Sequence, residues 1–293
     1  MFTVISFMFG GIAIGLLLRK WDCSWTSKII TVLIWLLLFL LGVEVGGNQK
    51  IISALPVLGL DALIISVAGT VGSCFFAWML WKYIQIKKKY VMKGSLIIVG
   101  FFILGIISGL SGVVPGSIVE GNLTFYALCA LLLFVGIGIG SDREILKKFK
   151  SLDLRMALLP LGTMVGTFAG SLLAALVLSG RSGLDCLAVG SGFGYYSLSS
   201  IFITEYKGAE LGTIALLANI IREMITLLLS PFLVKVSGPL SPIAAGGVTS
   251  MDTTLPIIMS ASGEQYSVVS IFHGFVLEFS IPFIVTFWCT LGV

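Results

Sequence analysis

The sequence predicts an all-α polytopic membrane protein with about eight full transmembrane helices, two broken or re-entrant helical stretches, and inverted internal repeats. Three observations predict it. Of 293 residues, 57% are hydrophobic and 11% charged, with mean hydropathy +1.10, whereas a soluble domain carries about 25% charged residues. Apolar runs long enough to cross a bilayer fall near 2–18, 29–47, 55–80, 94–114, 123–140, 156–179, 211–234 and 266–291. Two further apolar stretches, 186–204 and 240–262, are interrupted by Gly, Ser, Thr and Pro. No hydrophilic run exceeds about 15 residues, so the polar segments are loops. The expected organisation is one transporter domain over 1–293. Residues 1–180 form a six-helix region with a 3+3 inverted repeat, and 181–293 form the substrate-site region.

The first run is followed directly by Arg19 and Lys20, with no small-residue cleavage site, and is expected to be a retained first helix. The loops then alternate in charge. Loops 19–28, 81–93 and 141–155 hold thirteen of the eighteen Lys and Arg residues, while 48–53, 115–122 and 180–185 hold only Lys50 and Arg181. The positive-inside rule makes the first set cytoplasmic. The N-terminus is then outside, and so is the C-terminus if both broken stretches cross or neither does. The five cysteines (Cys23, Cys74, Cys129, Cys186, Cys289) are scattered without a CxxC pair and are expected to be small packing residues.

Two repeats emerge along the runs. "GIAIGL" at 11–16 matches "GIISGL" at 105–110, and "LLFLLGVEVG" at 37–46 matches "LLLFVGIGIG" at 131–140, both offset by 94. Three spans separate the copies, so the second copy is inverted, as in many secondary transporters. A second repeat, offset near 55, lays "GSGFGYYSLSSI" from Gly190 over "GGVTSMDTTLP" from Gly246, and Glu223 over Glu278. If these stretches re-enter, the copies are inverted and meet near the midplane; if they cross, the copies are parallel. Re-entrant or unwound helices are preferred. Such backbone is tolerated at membrane depth only inside protein or beside a cavity, where freed helix N-termini attract carboxylates and freed carbonyls attract cations.

An ionisable group within the bilayer is costly unless paired or wet. Asp252, in the second broken stretch, could cap loose N–H groups together with Thr253 and Thr254. A Ser or Asn would do that at lower cost, which favours a role with a cation or proton. Glu223 lies mid-span with Asn219 four residues before it and Arg222 adjoining. Adjacent helical residues point about 100° apart, so an ion pair with Arg222 is geometrically poor and Glu223 is expected to face a cavity. His273 and Glu278 form a candidate proton relay, because histidine titrates near neutral pH; hydrogen-bonded packing is the other reading of His273. Ser197, Ser199, Thr249 and Thr253, with Gly192, Gly194, Gly246 and Gly247, are the candidate ligands for a substrate carboxylate. Glu44, at a span end, and Glu205, in a loop, are expected to reach water. "GSGFG" lacks the strand–turn–helix context of a nucleotide loop. No metal or cofactor is expected, and the chain is not expected to be an enzyme. Gly109–Gly112, "GLSG", would supply Ser111 to an intramembrane serine protease with His273 as base, but that reading leaves Asp252 and Glu223 without a role.

On "LLLFVGIGIG", "GSGFGYYSLSSIFITE", "RE" at 222–223, "TSMDTTLP" and "HGF" at 273–275, the chain resembles the bacterial lysine exporters called LysO. The resemblance spans the whole chain and is most specific from about 123 onward; the first 90 residues match in span pattern. It implies an inner-membrane exporter of L-lysine coupled to proton entry, and it carries the family's intramembrane acids onto Glu223 and Asp252. Glu44 and Glu278 have no counterpart in it. The expected partners are therefore L-lysine, protons and the lipid bilayer, with no nucleic acid; a homodimer is compatible with the sequence. The expected mechanism has Asp252 and Glu223 take the amines of lysine while broken-helix N-termini hold its carboxylate. A sodium/proton or carboxylate transporter of similar architecture is the alternative.

Overall fold

A computed structural model describes residues 2–19, 25–84, 96–112, 114, 123–141 and 153–291. The predicted cytoplasmic charges at 20–24, 85–95 and 142–152, together with Cys23, lie outside the described residues. The described residues form helices without strands. In chain order they are α1 (Phe2–Leu17), α2 (Trp25–Gly47), α3 (Gln49–Ile84), α4 (Leu96–Leu110), α5 (Leu123–Ser141), α6 (Leu159–Val177), α7 (Gly183–Gly190), α8 (Tyr196–Lys207), α9 (Ala209–Ser237), α10 (Ser241–Gly246), α11 (Leu255–Ser262) and α12 (Ser267–Thr290). Short 3₁₀ turns precede α6 and α12 and follow α10. Each expected span lies over one helix. Six are long and apolar enough to cross a membrane, and the first and fourth spans are shorter apolar helices. The chain divides into two units, Met1–Ser53 with Gly94–Leu152, and Ala54–Lys93 with Asp153–Val293.

In the first unit the glycines 94 residues apart mark the packing seams. Gly11 and Gly15 of α1 lie against Gly136 and Gly140 of α5, and Gly42 and Gly46 of α2 lie against Gly105 and Gly109 of α4. Gly11 and Gly15 map by the 94-residue offset onto Gly105 and Gly109, and Gly42 and Gly46 onto Gly136 and Gly140, so the repeat relates the two seams. Each seam is a Gly-xxx-Gly face on both helices, which lets backbones approach closely where lipid supplies no hydrophobic drive. The cysteine expectation holds among the described residues: Cys74, Cys129, Cys186 and Cys289 are free and buried.

In the second unit α3 and α6 cross antiparallel at Gly72 and Gly166, again 94 apart. A Cβ on either would collide with the carbonyl oxygen of the other. Gly170 meets Ala68 on one side of this crossing, and Gly162 meets Phe76 on the other. A residue touching its own repeat counterpart, flanked by reciprocal pairs, is the contact pattern of a two-fold axis. The antiparallel run makes that axis perpendicular to the helices, as an inverted repeat requires.

Both broken stretches re-enter. Arg181, just before α7, bonds Asp61 of α3 at 2.8 Å and Glu210 in the first turn of α9 at 2.5 Å, and Lys207 at the end of α8 lies 3.9 Å from Asp185 in α7. The entrance and exit of this first hairpin therefore share one face. These two carboxylates, Asp61 first, hold the Arg181 guanidinium above its ordinary pKa. The second hairpin starts and ends at the opposite face. Gly238, before α10, packs on Trp81 near the end of α3, and α12 leaves beside the start of α6, where His273 meets Thr163. Asp153 caps the 3₁₀ turn ahead of α6 by accepting from the Arg155 N–H at 2.8 Å.

Candidate functional site

The two hairpin tips meet. Val248 donates its N–H to the carbonyl of Phe193 at 2.9 Å, and these residues are 55 apart, the offset of the second repeat. In a continuous helix that N–H would serve Ala244, so the break frees a carbonyl at the end of α10. Gly247 sits directly against the Phe193 carbonyl with φ +61°, a conformation and a space that only glycine fills without strain. On the other side Gly194 approaches the Gly246 carbonyl, and Gly246 approaches the Thr254 hydroxyl.

The first tip is held by Asn219 from α9. Its Oδ1 accepts from Gly194 N–H at 2.7 Å, and its Nδ2 donates to the carbonyls of Ala215 (2.8 Å) and Val189 (3.3 Å) and to Ser199 Oγ at 3.3 Å. Gly192 lies against the same amide, where a side chain would overlap it. Ser199 in turn donates to the Tyr195 carbonyl at 2.8 Å. Asn219, Ser199, Gly192 and Gly194 thus build the break itself.

The second tip is held in a similar way. Thr249 donates to the Gly246 carbonyl at 2.9 Å and lies 3.3 Å from Thr254 Oγ1. Ser250 donates to the Gly247 carbonyl at 2.6 Å. His273 is fully buried, with Nε2 2.9 Å from Thr163 Oγ1 and Nδ1 3.1 Å from Ser250 Oγ. It ties α12 to α6 and to the tip. Ser111 stands at the end of α4 in the other unit and donates to the Ser108 carbonyl at 2.8 Å, while both nitrogens of the histidine proposed as its base are engaged elsewhere.

Asp252 follows the second tip and is half-buried. Its Oδ1 accepts from Thr253 N–H at 2.6 Å and lies 3.3 Å from Thr253 Oγ1. Gly274 of α12 packs on Met251 and the Val248 carbonyl, and half-buried Glu278 lies one turn further along that face of α12, while the Tyr195 hydroxyl is hydrogen-bonded to Ser197. Asp252 and Thr253 thus follow one tip, Glu278 lies on the helix packed against that tip, and Tyr195 with exposed Ser197 stands at the start of α8, which has no side-chain cap. Burying carboxylates near one another favours a shared proton or a bound cation. Glu223 is buried at 4% exposure in the middle of α9. Glu205 is exposed, and Glu44 is half-buried and hydrogen-bonded to Thr124.

The residue that sequence reasoning passed over is Arg222. It does not extend toward a loop. Its guanidinium runs to the second hairpin, donating to the carbonyls of Ala245 (Nε, 2.9 Å) and Ala244 (Nη2, 3.0 Å), to Thr167 Oγ1 (Nη1, 3.1 Å) and to Ser73 Oγ (Nη2, 3.4 Å). The one local sign was the break after Gly246, which leaves α10 carbonyls needing donors.

Comparison with known proteins adds the context of relatives. The family model described as "Lysine exporter LysO" matches residues 5–96 and 99–289. A protein of Escherichia coli (strain K12) named lysine exporter LysO is 28% identical over 272 residues, covering 89% of this chain and 90% of that protein. A Haemophilus influenzae protein is 28% identical over 192 residues, covering 62% of this chain and 95% of its own length. No solved structure matches.

Proposed function

Because this chain belongs to the lysine exporter family LysO, we propose that it carries L-lysine out across a bacterial inner membrane in exchange for entering protons. The observation that carries the reading is the meeting of two opposed hairpin tips, with half-buried Asp252 just after one of them and half-buried Glu278 on the helix packed against it. Such tips at membrane depth are the substrate-site geometry of alternating-access carriers.

In this reading Asp252 and Glu278 take the ammonium groups of lysine. The uncapped start of α8, with Ser197, Thr253 and the Tyr195 hydroxyl, receives the α-carboxylate, because a helix N-terminus favours an anion. Glu223, buried on α9, is the further proton-binding acid. Asn219, Ser199, Thr249 and the tip glycines serve the substrate indirectly by fixing the breaks. Protons arriving from outside neutralise the carboxylates, lysine departs, and the protonated carrier returns. With the positive loops inside, the first hairpin enters from the outer face, the second from the cytoplasm, and both termini lie outside.

The test is uptake of labelled lysine into inverted vesicles driven by an acid interior. Asp252→Asn is expected to abolish uptake with insertion unchanged, and Glu278→Gln and Glu223→Gln to reduce it at least tenfold, the loss of about 1.4 kcal/mol of binding or more. Uptake by Asp252→Asn at the wild-type rate would refute the mechanism.

A further inference from the structure

Arg222 is a cation at the centre of the second unit, 2% exposed. Its four hydrogen bonds all end on neutral oxygens. Two of these, Ser73 and Thr167, are 94 residues apart and therefore occupy the same position in the two copies of the first repeat. The other two, Ala244 and Ala245, supply two of the last three carbonyls of α10 before its break. The guanidinium also lies 5.9 Å from the centre of the Phe193 ring, in the tip of the other hairpin, a favourable cation–π contact. One side chain thus touches both scaffold helices and both tips.

The carbonyl end of a broken helix carries partial negative charge. In carriers built from broken helices, such carbonyls take a coupling Na⁺. Here Val248 N–H has gone to Phe193, and the Ala244 oxygen it leaves, with that of Ala245, is filled by a planar fork that donates to both at once. A polar cap could have closed this end without bringing a charge to membrane depth.

We propose that Arg222 is a positioning residue acting as a tethered cation, which permanently occupies the place a coupling Na⁺ would take and makes the carrier independent of sodium. The transport half of this inference rests on the exporter reading; the binding half does not.

The experiment uses the purified full-length protein, wild type, Arg222→Ala and Arg222→Lys, with guanidinium chloride, NaCl or choline chloride at equal ionic strength. Arg222→Ala is expected to melt below wild type and to regain stability saturably with low-millimolar guanidinium, less strongly with Na⁺, and not with choline. Wild type shows none of these shifts. Arg222→Lys, with the charge but without the fork, melts in between and responds to neither cation. In proteoliposomes, wild-type lysine flux is the same in Na⁺ as in choline. A saturable response to neither cation in Arg222→Ala, or a sodium requirement in wild type, overturns the proposal. If Arg222→Ala does not insert, the wild-type sodium comparison and the lysine variant still decide it. Absence of lysine flux in wild type would refute the exporter reading while leaving the melting shifts to be read.

Discussion

Substituting alanine at the α3–α6 crossing tests whether these helices meet about a two-fold axis. A Cβ at Gly72 would overlap the Gly166 carbonyl oxygen and come within 2.9 Å of its carbon, and a Cβ at Gly166 would overlap the Gly72 carbonyl in the same way. Both clashes are with backbone, so only separation of the helices relieves them. Overpacking of this kind costs about 1–3 kcal/mol. Alanine at the same time gains about 1 kcal/mol over glycine in helix preference. Taking about 3 kcal/mol for the separation, each single variant should lose about 2 kcal/mol. The double variant needs one separation and gains two helix preferences, so it should lose only about 1 kcal/mol, where additivity would demand about 4. Gly162→Ala is the control. Its Cβ would lie 3.6 Å from Phe76 Cβ, an ordinary contact, and should gain about 1 kcal/mol. Denaturant titration of purified protein in mixed micelles, followed by tryptophan fluorescence, measures all four. Equal stability of Gly72→Ala and Gly162→Ala would refute the reasoning, as would an additive double variant.

Two further outcomes follow from the same geometry. His273→Ala removes the partner of two hydroxyls and opens a cavity, so it should lose about 3 kcal/mol of stability; its residual export, normalised to folded protein, should keep the wild-type pH profile, whereas a shifted profile would make the ring a proton carrier. Asp153 is held below its ordinary pKa by its hydrogen bonds from Arg155, so its contribution is complete above the unfolded value near ~3.9 and is lost as pH falls through the lower folded value. Asp153→Asn should therefore unfold more readily than wild type above about pH 4, with the two melting curves converging at lower pH.

Much of the architecture was legible because it rests on local patterns. Span positions follow from apolar length, and the seams follow from glycines at a four-residue spacing whose copies lie 94 apart. The return of the hairpins was preferred but not decided in the sequence, because for the first it depends on where Arg181 finds acids: Asp61 and Glu210 are 120 and 29 residues away. The site was legible in part. Asp252 stood out as a carboxylate between a glycine pair and a proline. Glu278 had its offset from Glu223 and its place after His273 to recommend it, and its position beside the second tip is a product of how α12 packs at Gly274. Asn219 carried a polar signal without a direction, and the tip 25 residues before it, at Gly194, supplied the direction. Arg222 was weighed only as a poor partner for the adjacent acid, while its partners are carbonyls 22 and 23 residues on.

The contact between Phe193 and Val248 also bears on how the carrier responds to membrane voltage. The α7 arm reaches inward about 12 Å over its eight residues, and the second hairpin reaches toward it from the other side. In the carrier cycle proposed above, water drawn to the tips from either face would thin the insulating layer there below the ~30 Å hydrocarbon core. One elementary charge crossing the full membrane potential exchanges about 2.3 kcal/mol per 100 mV. In the exchange proposed above, a cation leaving a negative interior does that work on its way past the tips, so membrane potential bears on that step.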